Sequence, residues 1–417
     1  MVLTSLMRIW LTRSFKPFRF ENIYSDRLEY EKLENLGLYV HIPYCRSICS
    51  FCPYCKVVYN EQSAGEYNFA LLKEIDLAGK PQTGKKEVTS LYFGGGTPVL
   101  MLDHMEAIIE KLKQYFVIRD GIGIELHPED INKDNLDKLK KMGITMVSIG
   151  FQSFNEECLQ KLGRKGMDFV SKLQLVKEYD FDAVDVDLIF AIPGQTEKIL
   201  TDDVLTAFRN GATQISTYPF IDFTFANNEY KPMPEAVKKK MLKTLSGYCA
   251  GLNVERTSVW TFAKRNTGKY SSVTRDTFLG FGVSATTLLK NSFKINTFSI
   301  KDYIKRISEN CLPTSLTLKF SLRQRAVYYL FWSAYSMKIS PDKFEKIVGK
   351  PLKKMYRMEF WLLEKMGLVV KENDQYILSP GAAYYYHYIE QVYTTAYIDK
   401  MWNISQKVAF PEEMVLK

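Results

Sequence analysis

The sequence predicts an α/β fold: a partial (β/α)6 TIM-like barrel followed by a smaller helical, winged-helix-like domain. Three observations predict it. Between residues 36 and 220, short β-branched or aromatic runs alternate with amphipathic stretches, the pattern of repeated βα units around a parallel sheet. Beyond Pro313, three helical stretches precede two short apolar runs separated by Asn373 and Asp374, a hairpin signal. A chain of 417 residues also exceeds a typical single domain and has material for a large core and a satellite.

Taken in order, the first element is an N-terminal segment, residues 1–35. Its first twenty residues carry Arg8, Arg13, Lys16 and Arg19 with no acid, interleaved with Leu3, Leu6, Trp10, Leu11, Phe15 and Phe18. That composition suits a segment packed on the body or a cover over an active site; targeting or membrane-surface contact is the weaker reading. The barrel is expected over residues 36–312. Its strands are predicted at 37–42, 90–94, 123–126, 145–149, 183–190 and 214–219, and its helices at 64–77, 103–115, 133–142, 155–162, 169–179 and 196–210. Six pairs imply an open barrel, with ligands expected at the carboxyl ends of the strands. A helical stretch at 231–252 and the glycine-rich segment 278–285 could complete the domain.

Residues 313–417 form the second domain, with helices predicted at 322–337, 341–348 and 352–366 and a hairpin over 367–378. A winged-helix unit could bind DNA, but Lys353, Lys354 and Arg357 are few cations for a recognition helix, so packing is expected and no nucleic-acid partner. The aromatic stretch 384–393 reads as core or interface. The chain is 46% hydrophobic and 25% charged, has no run of ~18 or more apolar residues, and carries a net charge of +9 spread along its length. A soluble, cytoplasmic protein with an anionic small-molecule ligand is expected. Seven cysteines, four of them between 45 and 55, do not resemble a secreted disulfide framework; Cys158, Cys249 and Cys311 are expected to be buried thiols.

The chemistry is concentrated in Tyr39-Val-His-Ile-Pro-Tyr-Cys45-Arg-Ser-Ile-Cys49-Ser-Phe-Cys52-Pro-Tyr-Cys55, which leaves a predicted strand with a C-x3-C-x2-C spacing. Three thiolates on a [4Fe-4S] cubane leave one iron without a protein ligand, and the amino and carboxylate groups of S-adenosylmethionine (SAM) can chelate such an iron. Structural zinc competes for cysteine clusters but usually needs a second, distant knuckle, and none follows. Cys55 stays open between a spare thiol, a functional group and an alternative ligand. Gly94, Gly95 and Gly96 follow the second strand, where side-chain-free backbone can approach a ligand. Glu125 ends the next strand, Gln152 follows the fourth, Asp187 lies on the fifth, and Arg164 offers a bidentate fork for a carboxylate.

These motifs, with Thr97 and Pro98, Ser148-Ile-Gly-Phe-Gln-Ser-Phe154, Leu162-Gly-Arg164, Asp187-Leu-Ile-Phe-Ala-Ile-Pro-Gly-Gln-Thr196 and Gly280-Phe-Gly-Val-Ser-Ala285, resemble radical SAM proteins of the oxygen-independent coproporphyrinogen III oxidase type. That group also includes haem chaperones, anaerobic haem-degrading enzymes and radical methyltransferases. The resemblance covers roughly residues 36–285 and, more weakly, the C-terminal module. It implies a barrel of radical SAM type, a cluster on Cys45, Cys49 and Cys52, and one SAM, or two for methyl transfer. Glu125, Gln152, Arg164 and Asp187 match positions that contact the methionine end and ribose of SAM. Tyr39 and Tyr54 match positions near the sulfonium and adenine, and Thr97 and Pro98 shape the glycine loop.

The resemblance further implies reductive SAM cleavage to a 5′-deoxyadenosyl radical, hydrogen abstraction from a tetrapyrrole, and a flavodoxin- or ferredoxin-type electron donor. Cations of the N-terminal segment, Arg8, Arg13 and Lys16, are expected to meet substrate propionates. Two departures separate the chain from the oxidases. Cys55 stands three residues after Cys52 rather than two, and Arg164-Lys165-Gly166 lacks the histidine of the usual Arg-x-His.

Overall fold

In the computed structural model, which describes residues 2–81, 83–224, 228–268, 276–405 and 407–416, the parallel strands expected from the sequence lie side by side in chain order. They are Leu36–Ile42, Leu91–Gly95, Ile122–Leu126, Met146–Gln152, Ala183–Phe190 and Gln214–Pro219. Their side chains are almost all buried, because helices cover a parallel sheet and leave no solvated face. Most of the intervening helices start on side chains that accept a backbone N–H three residues on, among them Asn60, Asn132, Asn155 and Thr196.

The sheet extends beyond the six expected strands. The glycine-rich segment supplies a seventh parallel strand, Thr277–Phe281, paired with Leu36–Ile42. Gly280 is required there, since a Cβ would lie 2.1 Å from the Thr286 carbonyl oxygen. From this edge the sheet continues antiparallel through Thr286–Leu288, Ser292–Asn296 and Thr314–Lys319. It then takes in Phe18–Glu21 from the N-terminal segment and Glu413–Leu416 from the tail, with Arg19 opposite Val415. One sheet thus crosses residue 312 and gathers both ends of the described chain.

The C-terminal region holds helices Leu322–Tyr335, Pro341–Val348 and Leu352–Lys365, and the hairpin strands Val369–Glu372 and Gln375–Leu378. Asn373 and Asp374 both have positive φ, 45° and 60°, the turn that two-residue hairpins favour. A short strand, Lys338–Ile339, adds to the hairpin, and Phe344, Leu352, Tyr356 and Phe360 form a separate small core. The chain returns to the barrel as a long helix, Pro380–Ser405. The N-terminal helix Val2–Thr12 packs against that helix and Leu322–Tyr335. Cys158 and Cys249 are buried as expected; Cys311 is not, sitting half-exposed where its helix ends, with Sγ donating to the Glu309 carbonyl.

Candidate functional site

The carboxyl ends of the parallel strands converge on one region. After Ile42 the chain turns at Pro43 and places Cys45 beside the second strand, where the Thr97 hydroxyl lies 3.9 Å from its Sγ. The glycine loop is stitched to this turn: Gly96 N–H donates to Ile42 O at 2.7 Å and Thr97 N–H to Tyr44 O at 2.7 Å. A Cβ on Gly96 would sit 2.5 Å from that oxygen and 3.0 Å from Cys45 Sγ, so backbone approach to the thiol is what the glycine permits.

Burial pushes the Cys45 thiol up to about 11 and raises Cys52, with the neighbouring cysteines adding in the same direction. Cys45 and Cys52, costly to ionise alone, suit a cationic group that stabilises them as thiolates. No cluster of three or more His, Cys, Asp or Glu side chains among the described residues is drawn in tightly enough for a single metal ion.

Glu125 is held between the loop and the sheet. Its carboxylate accepts from Gly95 N–H at 2.9 Å and from the Tyr92 hydroxyl at 3.0 Å. A Cβ on Gly94 would lie 2.8 Å from the same carboxylate. Burial raises its pKa, against those two hydrogen bonds. Tyr39 stacks near Tyr92 and shares a 2.9 Å hydrogen bond with His41 Nδ1, while His41 Nε2 meets the Cys55 carbonyl at 2.9 Å. A carbonyl only accepts, so Nε2 carries the proton and Tyr39 donates to Nδ1. Burial lowers the His41 pKa to about 4, which keeps the ring neutral.

A second group forms around the fourth and fifth strands. Gln152 is the last residue of its strand, at φ 72°, just past a bulge in the pairing with Ala183–Phe190. Arg164 donates to the Gly150 carbonyl, lies over the Phe51 ring, and brings Nη2 within 4.0 Å of Cys49 Sγ; its Nε is buried without a partner. Asp187 accepts from Ser148, which also reaches Asp185. Burial drives the Asp187 pKa well up, reinforced by Asp185 and Glu125. The expected Glu125 and Asp187 are therefore neighbours, and Arg164 and Gln152 adjoin the Cys49 side. His41, Tyr92, Ser148 and Asp185 were not assigned roles from the sequence, although Tyr92 shares a strand face with Gly94 and His41 with Tyr39.

Tyr39, His41, Tyr92 and Glu125 open on a cavity of about 510 Å³, whose lining does not include Cys45, Cys49, Cys52, the glycine loop, Gln152, Arg164 or Asp187. At one end lie Tyr39, His41, Tyr54, Cys55, Tyr92 and Glu125. Tyr54, 54% exposed, is one of the lining side chains. The Cys55 thiol reaches toward Phe298 O at 3.5 Å, and burial pushes it up to about 12. The remaining wall comes mainly from the N-terminal helix, the antiparallel strands, the helix Leu322–Tyr335 and the long C-terminal helix. Trp402 Nε1 ties that helix to the cysteine loop through Pro53 O, at 2.7 Å. Of the N-terminal cations expected to meet substrate, Arg8 lines the cavity, whereas Arg13 pairs with Glu359 outside it and Lys16 faces solvent. A second cavity of about 340 Å³, around Asp276, Arg325 and Lys338, contains none of the cysteines or loop glycines.

Comparison with known proteins agrees with this geometry. The family described as the Radical SAM superfamily matches residues 39–205, which span the cysteine loop, the glycine loop, Glu125, Gln152, Arg164 and Asp187. The chain is 26% identical over 362 residues to the heme chaperone HemW of Bacillus subtilis (strain 168), covering 82% of this chain and 95% of that one. It is 26% identical over 340 residues to an oxygen-independent coproporphyrinogen III oxidase of Synechocystis sp., covering 75% and 72%. Among solved structures, coproporphyrinogen III oxidase (HemN) from Escherichia coli superposes with a TM-score of 0.74 over 85% of this chain and 88% of that one, at 22% identity.

Proposed function

Because the chain belongs to the radical SAM superfamily, among the relatives of HemN and HemW, we propose that it binds a [4Fe-4S] cluster through Cys45, Cys49 and Cys52 and cleaves SAM to abstract hydrogen from a tetrapyrrole. The observation that carries this reading is that the Cys45 turn, the Gly94–Gly96 loop and Glu125 are tied together by hydrogen bonds, with Glu125 on the wall of the cavity. When bound and reduced, the cluster supplies the electron that splits the C–S bond of SAM and yields a 5′-deoxyadenosyl radical.

The chain's own contribution is recognition and exclusion of water. Glu125 and Asp187 are carboxylates whose ionised forms burial disfavours. A ligand bringing an ammonium and a sulfonium relieves that penalty, so cationic SAM is the natural partner for this pair. Arg164, with a free buried Nε beside Cys49, is placed to hold the SAM carboxylate. The aromatic wall keeps a reactive radical away from solvent.

The test is anaerobic reconstitution, iron and sulfide quantification, and mass spectrometry of 5′-deoxyadenosine after reduction with SAM and a candidate tetrapyrrole. A fully loaded protein that forms none would sink the enzyme reading, and SAM cleavage by Cys49→Ala would sink the ligand assignment. A second reading, haem transfer, is favoured by the match to HemW, which spans 95% of that protein against 72% of the oxidase. Tight haem binding with negligible 5′-deoxyadenosine would select it.

A further inference from the structure

The far end of the cavity carries a charge pattern unlike that expected for a multiply anionic substrate. Its wall is aromatic, with Phe18, Phe20, Phe293, Phe331, Tyr393 and Tyr397 among the lining side chains. Among the described residues, a single cation lines it, Arg8. Arg8 is 8% exposed, and one Nη donates to the carbonyls of Lys16, at 2.5 Å, and Ser14, at 3.5 Å. Those bonds fix the side chain without neutralising it. Its Nε is buried with no partner, and it makes no ion pair among the described residues.

The other cations of the segment are spent elsewhere: Arg13 on Glu359 and Arg19 on Glu413, with Lys16 in solvent. Among the described residues the one carboxylate on the wall is Glu125, held by Tyr92 and the Gly95 N–H on the glycine-loop side. A guanidinium in apolar surroundings with an unfilled donor is a site for one anion. Each further carboxylate brought into the same cavity would be desolvated without a partner.

We propose that the cavity takes a largely apolar ligand that presents one buried anionic group to Arg8, and so selects against a ligand burying several carboxylates. The claim rests on the reading above that this cavity receives the substrate, and it names how many charges that substrate buries. Its polarity also fixes orientation: the anionic end points to the N-terminal helix and the apolar body toward Tyr54 and Cys55.

The test holds the macrocycle type near constant and varies the carboxylates. Cluster-loaded, unreduced protein is titrated with pyropheophorbide a methyl ester (none), pyropheophorbide a (one), protoporphyrin IX (two) and coproporphyrin III (four), followed by quenching of protein fluorescence, to which Trp332 and Trp402 on the wall contribute. The expected result is that the monoacid binds about tenfold or more tightly than its ester, as one charge-assisted contact requires, and that coproporphyrin III binds more weakly than the monoacid. Arg8→Gln, which keeps a donor for the Lys16 carbonyl, should bring acid and ester to the same affinity, while Arg13→Gln should leave the difference intact.

Equal wild-type affinity for acid and ester overturns the proposal, as does coproporphyrin III binding as tightly as the monoacid. If Arg8→Gln loosens the N-terminal helix, the wild-type series still decides. The assay involves no turnover, so absence of 5′-deoxyadenosine in the earlier experiment would sink the enzymatic reading and leave this one standing.

Discussion

Gly95 answers two demands at once. Its φ of 118° lies where only glycine is comfortable, and a Cβ would stand 2.6 Å from the His41 ring. Its N–H also holds Glu125. Gly95→Ala is therefore expected to cost about 1–3 kcal/mol, the usual penalty for overpacking, read as a lower denaturant midpoint at unchanged slope. SAM affinity should fall with it, because Glu125 loses its anchor. His41 gives a pH prediction. Its folded pKa is about 4 against 6.5 for the free side chain, so the unfolded state binds the proton more readily between those values. Its contribution to stability is complete above about pH 6.5, declines as pH falls, and is fully lost below about 4; the span is on the order of 3 kcal/mol. His41→Asn should flatten that part of the stability profile, and an unchanged acid limb would show that other groups set it. At this scale the sequence was informative where a polar residue ended an apolar strand, as Glu125 does. Ser148 and Asp185 escaped because their roles come from hydrogen bonds across neighbouring strands, which no local pattern announces.

Among the elements, the long helix Pro380–Ser405 has the clearest task, for it presses Tyr393, Tyr397 and Trp402 onto the cavity and fastens the cysteine loop through Pro53. Trp402→Phe keeps a ring and removes the N–H, so it should cost about 1 kcal/mol of stability. Because the lost bond restrains the loop that carries the cysteines, the reconstituted cluster should bleach faster in air, followed by its visible absorbance; an unchanged bleaching rate would show that the loop is held by other contacts. Elements of this kind divide sharply in how well sequence reveals them. The six parallel strands and their helices announce themselves by local periodicity, and so does the hairpin, through Asn373 and Asp374. Phe18–Glu21 and Glu413–Leu416 are four-residue strands that exist because they pair with each other and with Thr314–Lys319, partners from distant parts of the chain. The seventh parallel strand was hidden by its glycines, which signal a loop but here serve close packing against Thr286.

For the whole molecule, the decisive feature is that the chain's two ends finish one sheet and one cavity wall. Phe18, Phe20, Leu318, Met401, Met414 and Leu416 make a buried cluster beneath that edge, and Phe18, Phe20, Leu318, Met401 and Leu416 also line the cavity. Removing residues 407–416 withdraws Met414 and Leu416, at roughly 3–6 kcal/mol for two large buried side chains as an upper bound, and bares a strand edge. That is a large part of the ~5–15 kcal/mol typical of a domain, so the truncated protein should melt earlier while the barrel, whose strands pair without the tail, still folds. The Cys45 turn and the glycine loop are hydrogen-bonded to each other and not to residues 407–416, so iron and sulfide content should stay close to wild type. What should change is coupling. With Leu416 gone from the wall and Phe18–Glu21 left unpaired on that side, water should reach the radical, and 5′-deoxyadenosine should form in greater excess over product, or without substrate at all. The measurement is the ratio of 5′-deoxyadenosine to consumed substrate under anaerobic single-turnover conditions. A ratio equal to that of the intact chain would show that the cavity is closed by the barrel alone, and that its union with the two termini serves stability and not catalysis.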